Sequence, residues 1–259
     1  MKRTPITPDL SQFPDYFHAL LGCPAYDSSC SQEAQVIFLD REGGMFLKSA
    51  PKHTLKTEAD MNRFFHSKGR GPEVLHYLSC EKDWLLTRAV PGEDCTNPVN
   101  MQDPKKLSST IGELLRQLHD PDATGCMVDR TADYIATAER NYRSGNYDKS
   151  LFPDNWGYRC PEEAWNVVCQ AAPALQHDVL LHGDYCLPNI ILKDGKLSGF
   201  IDLGNGGLGD RHIDLHWGIW SLQYNLKTDQ WTDRFLDAYG RDKLNPQLLD
   251  SIRAFEVFL

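Results

Sequence analysis

The chain has 259 residues, 41% of them hydrophobic and 24% charged, an ordinary globular composition long enough to bury one large core or two modest ones. Its net charge of −9 argues against nucleic acid as a partner, since that binding rests on Lys and Arg neutralising phosphates, and suits a cationic small molecule better. No apolar run approaches the roughly 20 residues that span a bilayer, and none follows Met1-Lys2-Arg3-Thr4-Pro5, so the sequence predicts a cytoplasmic protein.

Residues 1–33 carry Pro5, Pro8, Pro14 and Pro24, show little periodicity and end in a Ser-rich turn, Tyr26 to Glu33. Ala34 to Leu39 and Met45 to Lys48 read as strands joined by the hairpin signal Arg41-Glu42-Gly43-Gly44. Thr57 to Lys68 reads as a helix with Met61, Phe64 and Phe65 inward and Gly69 at its end; Glu58 in its first turn complements the helix dipole. Val74 to Leu78 and Trp84 to Thr87 read as further strands, and Pro91-Gly92 then breaks the chain. We take 88–92 as a hinge between a sheet-rich lobe, 1–87, and a helical lobe, 93–259.

Asp103-Pro104 has the form of an N-cap followed by proline at the first helical position, and Leu107, Ile111, Leu114, Leu115 and Leu118 then recur on one core-facing side. Thr131 to Tyr142 and Pro161 to Ala171 read as helices around an irregular, aromatic segment, Asn146 to Cys160. Gly204 to Arg211 reads as flexible, followed by a helix from about Asp214 to Tyr224. Trp231, Phe235, Ala238 and Tyr239 mark one more helix, and Leu248, Leu249, Ile252 and Phe255 the last. The eight cysteines, scattered from Cys23 to Cys186 without a Cys-x-x-Cys pair, are expected to be reduced thiols.

One stretch concentrates the chemistry. Val179-Leu180-Leu181 ends a buried strand, His182-Gly183 turns the chain, and Ile190-Ile191-Leu192 restarts it. Lys193-Asp194-Gly195-Lys196 holds the Asp-Gly pair that favours a tight hairpin, and Leu197 to Ile201 returns. That hairpin is expected to bring Asp202 back beside the loop holding Asp184 and Asn189. Two carboxylates and an amide in this order suit phosphoryl transfer. One carboxylate orients a hydroxyl and accepts its proton, while the other and the amide oxygen hold Mg²⁺ on nucleotide phosphates. A zinc site at His182 and Asp184 would need another His or Cys pair at ligand spacing, which is missing.

His182-Gly183-Asp184-Tyr185-Cys186-Leu187-Pro188-Asn189, followed by Ser198-Gly199-Phe200-Ile201-Asp202 and Gly209-Asp210-Arg211, resembles the aminoglycoside phosphotransferase family, the kanamycin kinase-like 3'-phosphotransferase branch in particular. The resemblance covers most of residues 25–259 and is strongest over 181–214. It implies an α+β, protein-kinase-like two-lobed fold with a small antiparallel β-sheet N-lobe and a mainly helical C-lobe. The implied reaction uses ATP or GTP with Mg²⁺ and moves the γ-phosphoryl group to a hydroxyl of a small molecule, an aminoglycoside at its 3'-hydroxyl, which would make this a resistance enzyme. No obligate protein partner is implied.

By the same resemblance Asp184 stands for the catalytic base, Asn189 and Asp202 for the metal ligands, and Lys48 for the phosphate anchor oriented by Glu58. Ser31 and neighbouring N–H groups would contact phosphates, the backbone of Arg88 to Val90 would hold the adenine edge, and Asp214 would bond the catalytic loop from below. Eleven residues, 203–213, separate Asp202 from Asp214, too few for the peptide-binding segment of a protein kinase.

On the acceptor side the family holds ammonium groups with carboxylates, and this chain departs from it. Trp220, Ser221 and Tyr224 stand where relatives carry Arg, Asp and Glu, Phe255-Glu256 stands for Asp-Glu, and Asn205 for an Arg. Asp154 remains in the loop Pro153-Asp154-Asn155-Trp156, so Asp154, Trp220, Tyr224 and Glu256 are the candidate acceptor contacts. Trp217, Trp220, Tyr224 and Phe255 read either as a pocket for a flatter, less charged acceptor or as filling of the helical core. Two other functions stay open: a kinase for another small hydroxylated metabolite, and a nucleotide-binding module without turnover.

Overall fold

The computed structural model describes residues 3–30, 34–120, 125–149, 152 and 157–259, and the chain divides into two units, Met1–Asn100 with Pro188–Gly204, and Met101–Leu187 with Asn205–Leu259. The proline-rich start is more ordered than its lack of period suggests. Two three-residue strands, β1 (Thr4–Ile6) and β2 (Ala25–Asp27), flank a short helix, α1 (Asp15–His18), and pair with each other. Strands this short have no room to display alternation; hydrogen bonding to a neighbour makes them. They extend β3 (Gln35–Leu39) and β4 (Met45–Pro51), which continue across β6 (Lys82–Arg88) to β5 (Val74–Ser79) as one antiparallel sheet in the order β1-β2-β3-β4-β6-β5.

In β4 Met45, Leu47 and Ser49 are buried and Phe46 and Lys48 only half-buried, the two-residue period of a strand with one face on a core. That core holds Leu39, Leu47 and Leu86, closed by Phe13 and Phe17 against Trp84 at 5.3 and 5.7 Å. Helix α2 (Lys56–Ser67) starts at Leu55, whose side chain cannot cap it. The buried carboxylate of Asp83 on β6 substitutes, accepting from Leu55 N at 3.0 Å, from the Tyr77 hydroxyl at 3.0 Å and from Ser79 Oγ at 2.6 Å.

After β7 (Glu93–Asp94) and α3 (Pro98–Met101) the chain enters the second unit with α4 (Pro104–His119), α5 (Arg130–Ser144), α6 (Pro161–Ala171) and β8 (Val179–Leu181). It rejoins the first as β9 (Ile190–Lys193) and β10 (Lys196–Phe200), whose turn places Asp194 and Gly195 at φ 53° and 72°, the left-handed pair a tight hairpin requires. With β7 they form a three-stranded sheet.

The chain ends in the second unit with β11 (Gly207–Gly209), α7 (Arg211–Leu226), α8 (Thr232–Tyr239) and α9 (Pro246–Glu256). Two sequence expectations change here, and one left open is decided. The glycine-rich stretch is a strand paired with β8, because a Cβ at Gly209 would stand 2.5 Å from Leu181 Cδ1, so glycine serves close approach and not flexibility. Helix α7 starts at Arg211, earlier than Asp214, since Asp210 caps it by accepting from His212 N at 2.9 Å. Phe255, for which core and pocket were both open, is core, fully buried and stacked on Tyr134 at 5.2 Å. All eight cysteines are free, with Cys30 and Cys169 exposed. Among the described residues no helix is long and apolar enough to cross a membrane.

Candidate active site

In the first unit three charges meet. Lys48 leaves the sheet on the side away from Leu47 and donates from Nζ to Glu58 Oε2 at 2.7 Å and to Asp202 Oδ1 at 3.0 Å. Burial works to depress the lysine, but the two carboxylates outweigh it and hold its pKa above the ordinary value, so the ammonium is permanent at neutral pH. Glu58 therefore holds the lysine stem and does more than complement a helix dipole. Asp202 follows β10 with φ 59°, a left-handed conformation that costs a non-glycine residue energy and recurs at functional sites. Ile201 N donates to Asn189 O at 3.0 Å, which ties the backbone just before Asp202 to that of Asn189.

Asn189 and Asp202 offer hard oxygens, the donor type Mg²⁺ prefers, and a cation bound mainly through nucleotide phosphates needs few protein ligands. In the 88–90 segment expected to hold the adenine edge, two of the N–H groups are already taken. The Arg88 N–H donates to Glu73 O at 2.9 Å and the Ala89 N–H to Gly44 O at 2.9 Å, so neither is available to a base edge, and the Arg88 guanidinium pairs with Glu73. Ser31 and Asp154 lie outside the described residues.

In the second unit Asp184 sits on a loop fixed along its length. Asp214, fully buried on α7, accepts from His182 N at 2.8 Å through Oδ2 and from Gly183 N at 2.7 Å through Oδ1. Gly183 has φ 83°, and a Cβ there would stand 1.8 Å from Asn205 O, so no other residue fits. Downstream, the Tyr185 hydroxyl donates to Ile111 O at 2.8 Å and Leu187 N donates to Ser221 Oγ at 2.9 Å.

Behind Asp214 a relay escaped the sequence reading. His119 Nε2 lies 3.1 Å from Asp214 Oδ2, and its Nδ1 lies 2.9 Å from the Tyr239 hydroxyl. A carboxylate only accepts, so Nε2 carries the proton and Nδ1 accepts from the phenol. Burial, partly offset by Arg211, pushes the Tyr239 phenol up to about 12, which keeps it a donor. Arg211 Nη1 donates to Tyr239 at 3.4 Å and Nη2 to Asp178 at 3.0 Å. Members of this chain lie 95 and 120 residues apart, beyond any local signal. Arg130 Nη2 donates to Asn205 Oδ1 at 3.0 Å.

The candidate acceptor residues divide. Glu256 Oε1 accepts from the Tyr134 hydroxyl at 2.7 Å and from Trp217 Nε1 at 3.1 Å. Burial, with a contribution from the charge of Asp184, raises this carboxyl to about 7 despite those bonds. Trp220 and Tyr224 are exposed.

The sequence model described as "Phosphotransferase enzyme family" matches residues 30–255. A relative from Lactococcus lactis, named probable aminoglycoside 3'-phosphotransferase, is 42% identical over 253 residues, covering 96% of each chain. Among solved structures, aminoglycoside-3'-phosphotransferase of type VIII superposes with a TM-score of 0.75 at 24% identity over 96% of both chains. The Streptomyces rimosus aminoglycoside phosphotransferase in complex with ADP and streptomycin superposes with a TM-score of 0.66 at 23% identity, covering 85% of this chain and 90% of that one. The α+β, kinase-like fold expected from the sequence is the one these structures share.

Proposed function

The chain belongs to the phosphotransferase enzyme family, and on that premise we propose that it transfers the γ-phosphoryl group of ATP to a hydroxyl of a small molecule, an aminoglycoside at its 3'-hydroxyl, in the cytoplasm. The observation that carries the reading is the joint presence of the Lys48–Glu58–Asp202 cluster and an Asp184 loop locked by Asp214. The 42% identical relative supports the acceptor class.

Asp184 orients the acceptor hydroxyl and takes its proton as the oxygen bonds to phosphorus and the bond from phosphorus to ADP breaks. Lys48 neutralises α- and β-phosphate oxygens, and Glu58 keeps its stem from swinging. Asn189 and Asp202 would hold Mg²⁺, which supplies charge neutralisation on the phosphates. Val90, at the end of the 88–90 segment, is the part that can meet the base. Asp154 and Glu256 would receive ammonium groups, and Ser31 a phosphate.

The test is acceptor-stimulated ADP release across aminoglycosides, sugars and amino alcohols with ATP or GTP, the product located by phosphorus NMR, together with the resistance of a susceptible host expressing the gene. Phosphorylation away from an aminoglycoside 3'-hydroxyl would replace the acceptor, and ADP release that no acceptor stimulates would leave a nucleotide-binding module.

A further inference from the structure

Asp83 is a fully buried carboxylate on β6. The pairing of β4 with β6 sets it opposite Ala50, while Lys48 stands opposite Leu85, two residues along each strand. Side chains of directly paired residues share a face of the sheet, so Asp83, Ala50, Leu85 and Lys48 all point to one side. Helix α2 lies on that side, with Leu55 and Ala59 packed against Ala50 and Leu85. Apolar packing of this kind has no direction and does not by itself fix where along the sheet a helix sits.

Hydrogen bonds supply the direction. Asp83 Oδ2 accepts from Leu55 N at 3.0 Å, where α2 begins, and from the Tyr77 hydroxyl, while Oδ1 accepts from Ser79 Oγ at 2.6 Å. Burial works to raise this carboxyl, but bonds from Ser79, from the N–H groups of His53 and Leu55 and from Tyr77 outweigh it and hold the group ionised. His53 has φ 71°, a left-handed conformation that a non-glycine residue keeps only where its surroundings enforce it. Thr54 Oγ1 closes the same connection on Pro51 O at 2.6 Å.

That connection joins the two halves of an ion pair. Lys48 stands on the strand before it and Glu58 in the first turn of the helix after it, and they meet at 2.7 Å. Among the described residues the Glu58 carboxylate accepts a hydrogen bond from Lys48 alone, so its place follows the seat of α2.

We propose that Asp83 is a positioning residue for the nucleotide anchor: through the β4–α2 connection it fixes the seat of α2, and with it the hold of Glu58 on Lys48. This rests on reading Lys48 as the contact to nucleotide phosphates, and it adds a residue that itself touches no ligand.

Two readouts on the full chain test it. Reductive methylation followed by mass spectrometry reports Lys48 without nucleotide, because the reaction needs the neutral amine that Glu58 and Asp202, against burial, suppress. A fluorescent ATP analogue reports the grip on phosphates. Asp83→Ala should speed labelling of Lys48, relative to the exposed Lys196, about tenfold, the effect of one pKa unit, and weaken the analogue about tenfold. Ser79→Ala removes one bond to the carboxylate, should shift both readouts about threefold, and carries the test alone if Asp83→Ala does not fold. Adding Glu58→Gln to either variant should weaken the analogue no further than Glu58→Gln does by itself, since all three act on one contact. Labelling of Lys48 at the parent's rate in the folded variants, or losses that add to that of Glu58→Gln, would overturn the role of Asp83. Faster labelling in a chain that binds no nucleotide, or binds it unchanged, would reject Lys48 as the phosphate anchor and leave Asp83 as the clamp on its ion pair.

Discussion

The two sides of α7 are built on opposite terms. Its inner side carries Asp214 and Ser221, 0% and 1% exposed, each gripping backbone N–H groups of the loop that holds Asp184. Its outer side carries Trp220 and Tyr224 in solvent, held by each other. Buried polar groups are expensive to leave unmade, so the inner side cannot drift without unfolding the loop, whereas the outer side can change its chemistry at little cost to the fold. Holding the Asp184 loop and facing solvent are thus separate tasks of one helix, and substitutions can test how completely.

The largest effect is expected at the loop itself. Asp184→Asn should lower turnover about 10²- to 10⁴-fold while a fluorescent nucleotide still binds, and a rate within tenfold of the parent would remove Asp184 as the base. Next, Asp214→Ala strands two backbone N–H groups and His119 and should cost about 3–5 kcal/mol in denaturant unfolding; a loss under about 1 kcal/mol would mean the loop holds itself. Tyr239→Phe removes only the hydroxyl at the far end of the relay. It should cost about 1 kcal/mol and lower kcat with acceptor KM unchanged, and a change confined to KM would place its effect on the other side of the helix.

Glu256 joins the two sides, and its pH behaviour has a definite sign. Its carboxyl is raised in the folded chain from 4.5 to about 7, so between those values the native state binds more protons than the unfolded one and stability falls as pH rises. Melting curves should show that slope in the parent and its absence in Glu256→Gln. The smallest effect belongs to the outer face: Trp220→Ala should change unfolding free energy by no more than about 0.5 kcal/mol, and a larger loss would make the stacked pair part of the core.

Much of this was legible in sequence wherever a local rule governs. The Asp194-Gly195 turn fixed the hairpin, Asp103-Pro104 fixed the start of α4, and the run from Asp184 through Asn189 to Asp202 carried the resemblance to the family that the chain belongs to. Lys48 and Glu58, ten residues apart, were legible only through the resemblance, because a strand lysine and a first-turn glutamate each have a commoner reading. The sequence could not show β1, β2 and β11, whose three residues each exist as strands through pairing, nor the relay from Asp214 to Tyr239, and it left Phe255 open between core and pocket. Those depend on which distant segments the fold brings together.

The free thiols offer a practical opening. Cys30 belongs to the first unit and Cys169 to the second, and both are exposed while Cys95, Cys126 and Cys186 are buried. A donor and an acceptor dye coupled at these two sulfurs, once the half-buried Cys23, Cys80 and Cys160 are replaced by serine, would let single-molecule energy transfer measure the distance between the two units without engineering new attachment points.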